Sequence, residues 1–271
     1  MATYRLTLEY DGTRYHGWQV QQNARSVAGE LHRALAAAGA EVVELGGSGR
    51  TDAGVHALAQ VAHLRLRRRA DPEGLRRELN DRLPPDVHVL ALVPAADRFH
   101  ARHDALSRSY LYQIATRRTA FHKRFVWWVR KPLDLDAMRA AAAELAGRHD
   151  FRAFCERPQE QTSTLVEVAT VELVPAEALV LVRLVASHFL WKMVRRLVGA
   201  LVRVGWGEQP VEMVRALLAG EAGAAGLAPA EWTAPPSGLF LERVLYAGEP
   251  PLSPPVPVTP LSWPLPPPTG R

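Results

Sequence analysis

Residues 47–54, GSGRTDAG, put one carboxylate, Asp52, and one cation, Arg50, into a loop with three glycines between two stretches that read as strands. A carboxylate so placed can act as a nucleophile or a base and leave again, provided that a nearby cation keeps it ionised. Glycines at positions 46, 47, 49 and 54 permit backbone angles and close approaches that side chains would block. The loop is no phosphate-cradling P-loop, because no Gly-Lys-Ser/Thr follows it. Nor does it offer the second carboxylate that glycoside hydrolysis uses, since Asp52 stands alone in it. On residue types alone, a turn closed by an Asx cap is the simpler reading.

Other residues with chemical potential carry the same double reading. Tyr110 and Tyr112 alternate along a strand-like RSYLY and fit a core as well as a binding surface. Arg195 and Arg196 fit a solvated helix face, and Leu239 fits a strand interior. Arg65, Arg67, Arg68 and Arg69, then Arg76 and Arg77, concentrate positive charge in a chain of net charge +5, whose only lysines are Lys123, Lys131 and Lys192. Arginine's planar fork suits phosphate, although arginine-for-lysine usage also reflects genome composition or heat adaptation. His100 with His103, and His56 with His63, invite a metal reading. No third ligand stands at a plausible spacing, so no metal is expected. Cys155 is the only cysteine, which excludes a disulfide framework or thiolate cluster and marks a small buried side chain.

The elements around these residues follow from periodicity. TYRLTLEY (3–10) alternates as a strand, and Ser26 opens a helix with Val27, Leu31, Leu35 and Ala38 on one face. EVVEL (41–45) and residues 58–66 are strands, the latter with Ala62, Leu64 and Leu66 on one side and His63 and Arg65 on the other. Pro72 starts a second helix, and residues 87–93 make a fourth strand. The order β-α-β-β-α-β is the ferredoxin-like split motif. A second unit follows: a strand from Ser107, a short strand in FVWWV, a helix over 134–147, and an antiparallel pair, 163–174 and 178–187, around Pro175. Helices over 188–204 and 210–219 and a closing strand, GLFLERVLY, complete it. The expected architecture is α+β: two ferredoxin-like units, residues 1–104 and 105–248, forming an extended, mainly antiparallel sheet with a central cleft. From Glu249 the chain is proline-dense and reads as an extended tail without a core. With 271 residues, 48% hydrophobic, and no run of eighteen apolar residues or leader, a soluble cytoplasmic protein is expected.

Six segments, in order, resemble the tRNA pseudouridine synthase A family: YDGTRYHGWQVQ (10–21), GSGRTDAGVHA (47–57), FHARHDALSRSYLY (99–112), GRHDFRAF (147–154), HFLWKMVRRLVGALVRVG (188–205) and APPSGLFLERVLY (234–246). The resemblance spans about residues 3–248. It implies isomerisation of uridine to pseudouridine at positions 38, 39 and 40 of the tRNA anticodon stem-loop, without metal or cofactor, by a homodimer. It assigns Asp52 as the catalytic carboxylate, Arg195 as its cationic partner from the second unit, and Tyr110 as the residue that stacks on the flipped-out base and whose hydroxyl is placed for proton transfer at C5. Arg50 would contact the backbone beside that nucleotide and Leu239 the base. Arg65, Arg67 and Arg68 would then track the stem phosphates. A non-catalytic RNA-binding protein on the same fold is the alternative, and it would have lost the loop aspartate.

Overall fold

The computed structural model describes residues 1–221 and 226–261. Its first half runs β1 (Ala2–Tyr10), α1 (Val27–Ala37), β2 (Val42–Gly47), β3 (His56–Leu66), α2 (Pro72–Arg82) and β4 (Val87–Pro94). The second runs β5 (Ser107–Ala115), β6 (Trp127–Trp128), α3 (Leu135–Ala143), β7 (Gly147–Asp150), β8 (Leu165–Ala176), β9 (Leu179–Ala186), α4 (Met193–Gly205), α5 (Met213–Leu218) and β10 (Leu239–Leu245).

Local chemistry explains where the helices start. Ser26 caps α1 by accepting from Gly29 N–H, Asp71 does the same for α2 at Gly74, and Pro72 occupies the first turn where its missing N–H costs nothing. In β1, Tyr4, Leu6, Leu8 and Tyr10 alternate inward and meet Leu31 and Leu35 of α1 in one core.

The strands form one ten-stranded, mostly antiparallel sheet in the order β4-β1-β3-β10-β5-β9-β8-β7, with β2 on β3 and β6 on β5. Within each half the order repeats: β4-β1-β3-β2 and β10-β5-β9-β8. The seam is the short parallel pairing of Phe240 and Leu241 with His56 and Ala57. That pairing begins four residues after Asp52, so the loop of 48–55 stands where the halves meet.

Several boundaries differ from the periodicity. The helix expected over 134–147 stops at Ala143, and Gly147 (φ +102°) opens a strand, GRHD, instead. The long helix begins at Met193 rather than His188, because Lys192 adopts a left-handed φ of 60°. The β8–β9 turn falls at Glu177 (φ 54°), with Pro175 still paired in β8. The tail from residue 249 is extended but not coreless. Ser253 carbonyl accepts from Arg183 at 2.7 Å, Val258 N–H donates to Gln113 at 2.7 Å, and Leu261 packs with Leu111 and Leu181. Leu111 and Ala115 of β5 with Leu179 and Leu181 of β9 make a second apolar cluster, and Leu261 of the tail packs into it. Residues 262–271 of the tail lie outside the described residues.

Candidate active site

A buried polar clamp holds the glycine loop. Gln60 of β3, fully buried, accepts from Ser48 Oγ at 2.8 Å and donates to the Gly49 carbonyl at 3.1 Å. Tyr10 hydroxyl meets Thr51 Oγ1 at 2.8 Å, and Arg108 of β5 donates to the Ser48 and Ser187 carbonyls, tying the loop to the second half. Charged donors to carbonyls in a dry setting make strong bonds. The preceding segment presses on the loop from outside. Gly17 (φ +90°) lies so close that a Cβ there would sit 2.2 Å from the Thr51 carbonyl, the acceptor of Trp18 N–H. Gly17→Ala is therefore expected to displace the loop, lowering Tm and cutting the single-turnover rate more than tenfold, with about 1–3 kcal/mol of strain. Calorimetry and rapid quench on the same sample check both.

Asp52, at the tip, meets Arg195 of α4: Nη1 donates to Oδ2 at 3.4 Å. The partners are 143 positions apart. Arg195 is itself fixed, because its Nε donates to the Ala234 carbonyl at 2.7 Å while Ala234 N–H donates back to the Arg195 carbonyl. Burial pushes the Asp52 carboxyl above its ordinary range; the Arg195 charge and hydrogen bond, then the Lys192 charge and the Trp191 side chain, pull it back. Tyr110 lines the same place. It is 8% exposed, its ring meets Phe189 edge-on at 5.0 Å, and burial first, then the charges of Tyr10 and Asp52, raise its hydroxyl pKa far above the usual value. The phenol is thus neutral at any working pH.

Asp52, Arg195 and Tyr110 come together; the other expected residues do not join them. Arg50 is exposed at the loop rim, without an ion pair among the described residues. Leu239 is buried in the core beneath, opposite Tyr112 rather than Tyr110. Arg65 pairs with Glu44 at 2.6 Å, and Arg67 and Arg68 share Glu41 at 3.5 and 3.1 Å. Arg65 stands three residues along β3 from Ala62, which pairs with Gly47 at the start of the loop, roughly 10 Å at about 3.3 Å per residue, and Arg67 and Arg68 lie past the end of the strand.

The histidines need one correction. Sequence spacing offers no third ligand, but the fold brings Glu44 to His63 and His100, with one donor atom of each within 4.8 Å of the others. The arrangement still does not suit a cation. His63 Nδ1 accepts from Ala101 N–H at 3.2 Å, which puts the ring proton on Nε2, facing Glu44 Oε1 at 3.2 Å, and Arg65 already neutralises that carboxylate.

Spacing also missed Gln60, Tyr10, Arg108 and the Trp191–Lys192 pair. Gln60 left a signal, a polar residue in the middle of the apolar run LAQVAHL, where burial demands partners.

A family model described as tRNA pseudouridine synthase matches residues 7–104 and 141–247, including Asp52 and Arg195 but not Tyr110. The chain is 41% identical over 252 residues to a tRNA pseudouridine synthase A from Rhizobium meliloti, covering 91% of this chain and 100% of that one. It is 43% identical to the protein of that name from Syntrophotalea carbinolica (91% and 97% covered) and 38% identical to the one from Aquifex aeolicus (90% and 100%). The chain belongs to the tRNA pseudouridine synthase family. It is an enzyme of the isomerase class, as pseudouridine synthases are. No helix among the described residues is long and apolar enough to cross a membrane.

Proposed function

We propose that the protein isomerises uridine to pseudouridine at positions 38, 39 and 40 of the tRNA anticodon stem-loop, in a cleft between two ferredoxin-like units, residues 1–104 and 105–248. The observation that carries this reading is the Asp52–Arg195 pair at 3.4 Å, one partner from each half. Breaking the N1–C1′ bond, turning the uracil and joining C5 to C1′ is served by a carboxylate that acts as nucleophile or base and is then released; the C5 proton is lost and N1 gains one. Asp52 fills that role, and Arg195 offsets part of the burial that would neutralise it. No oxidant, metal or cofactor enters the balance.

The target uridine cannot be reached while stacked, so it is flipped out at a cost of a few kcal/mol. Tyr110 receives the base. A hydroxyl held neutral is a poor proton acceptor, so stacking is its larger share. Tyr110→Phe is therefore expected to keep most of the single-turnover rate and Tyr110→Ala to lose at least tenfold more, consistent with about 1–3 kcal/mol per stacked base. Equal rates for the two variants would remove stacking from its role. Arg50 contacts the backbone beside the flipped nucleotide, Leu239 supports the base from below, and Arg65, Arg67 and Arg68 exchange their weak surface glutamate partners for phosphate. The enzyme works in the cytoplasm as a homodimer.

Chemical mapping of pseudouridine in tRNA after incubation with the purified protein tests the site assignment. Stops at positions 38–40 are expected; modification confined to another arm would overturn it.

A further inference from the structure

Residues 116–131, TRRTAFHKRFVWWVRK, carry six cations and no acid. They follow β5, and neither segment matched by the family model includes them. Among the described residues only Lys131 of the six is ion-paired, to Glu208. Arg117, Arg118, Lys123, Arg124 and Arg130 have no acidic partner, in contrast with Arg65, Arg67 and Arg68.

Aromatic rings are interleaved with these charges. Phe121 is 91% exposed and Trp128 37% exposed, with the Arg118 and Arg130 guanidinium groups 5.6 and 6.0 Å from the Trp128 ring centre. The base of the segment is nevertheless fixed. Arg124 carbonyl meets His56 Nε2 at 3.0 Å, the Phe125 ring lies 5.1 Å from that of His56, and the Val126 carbonyl accepts from Ser237 at 3.2 Å. His56 follows Asp52 by four residues. A charged, aromatic-bearing tip is thus anchored to the strand that carries the catalytic loop.

We propose that residues 117–130 form a backbone clamp for structured RNA, gripping phosphates several nucleotides away from the reacting uridine; this rests on the tRNA reading above. Ala115, the last residue of β5, stands five residues beyond Tyr110, roughly 17 Å at about 3.3 Å per residue, and Arg117 follows it by two. That reach suits the stem beside the flipped nucleotide, where recognition rests on shape and phosphate. Unpaired cations need give up no partner before meeting phosphate, so this surface outranks the glutamate-paired arginines of β3 as an electrostatic footprint. Phe121 and Trp128 offer faces to an unpaired base at the stem end. A basic, aromatic loop also suits an acidic lipid surface, but anchoring to the catalytic strand favours RNA.

The test is the salt dependence of full-length tRNA binding, read by anisotropy between about 50 and 200 mM salt. The variant R117Q/R118Q/K123Q/R124Q keeps every backbone contact of the segment. It is expected to bind at least tenfold more weakly at low salt, with a log–log slope shallower by about 3, at about 0.7–0.9 per phosphate contact. Its Tm, and its rate at saturating tRNA, should stay within twofold of the parent. Should the quadruple variant fail to fold, R118Q alone should flatten the slope by nearly 1. An unchanged slope overturns the clamp, as does an unchanged slope accompanied by lost binding to phosphatidylserine vesicles, which would make the surface a membrane contact. A parent that binds tRNA with the expected slope loss in the variant, yet forms no pseudouridine, would sink the isomerase reading and leave the clamp standing.

Discussion

Asp52→Asn is expected to cut pseudouridine formation by on the order of 10³-fold or more, with tRNA binding nearly intact. The amide keeps the size of the side chain and loses the charge and the nucleophile. Stability should move the other way. Because burial outweighs Arg195 and raises the Asp52 pKa, the folded protein holds that proton more tightly than the unfolded chain does. The stability tied to the protonated form is therefore lost as pH rises from the ordinary carboxylate range through the raised folded value. Once ionised, the group burdens the fold, and a neutral amide relieves it. Tm for the variant should be no lower than for the parent. A clear drop in Tm together with lost activity would mark Asp52 as structural.

Arg195→Met should remove the charge while keeping comparable bulk. The first of the influences that lower the Asp52 pKa disappears, so the pKa rises further and the acidic limb of the single-turnover rate moves to higher pH. Rate should suffer more than affinity, because the guanidinium acts on a group that must be ionised to react. Arg195→Lys restores charge without the bond to the Ala234 carbonyl and is expected to recover the limb partly. If the limb stays put and the loss appears only as weaker, less salt-dependent tRNA binding, Arg195 is a phosphate contact and the two halves do not share a site.

Caps and alternation made most of the fold legible in the sequence. Ser26, Asp71 and Pro72 announce their helices, and the alternation of Tyr4, Leu6 and Leu8 announces β1. Backbone conformation hid the rest. Gly147 and Lys192, both at positive φ, break apolar patterns that would otherwise run on as helix. His63 alternates onto the face of Arg65, opposite the apolar residues of β3, yet it is 1% exposed, and Ala101 N–H donates to its Nδ1. The tail looked coreless because its partner, the cluster of Leu111 and Leu181, is distant in sequence. Of the site, Asp52, Tyr110 and Arg195 entered through family resemblance, since no periodicity can join partners 143 positions apart. Gln60 and Arg108, which hold the loop between the halves, do their work through backbone carbonyls that leave no residue-type signature.

Release of tritium from tRNA carrying 5-tritiated uridine, followed in a single turnover with enzyme in excess, tests the whole scheme most directly. Forming the C5–C1′ bond must expel the C5 hydrogen to water, so the parent protein should release label in step with pseudouridine at positions 38–40, and Asp52→Asn should release none above background. Release by Asp52→Asn at the parental rate, or no release by the parent at saturating tRNA, would contradict it.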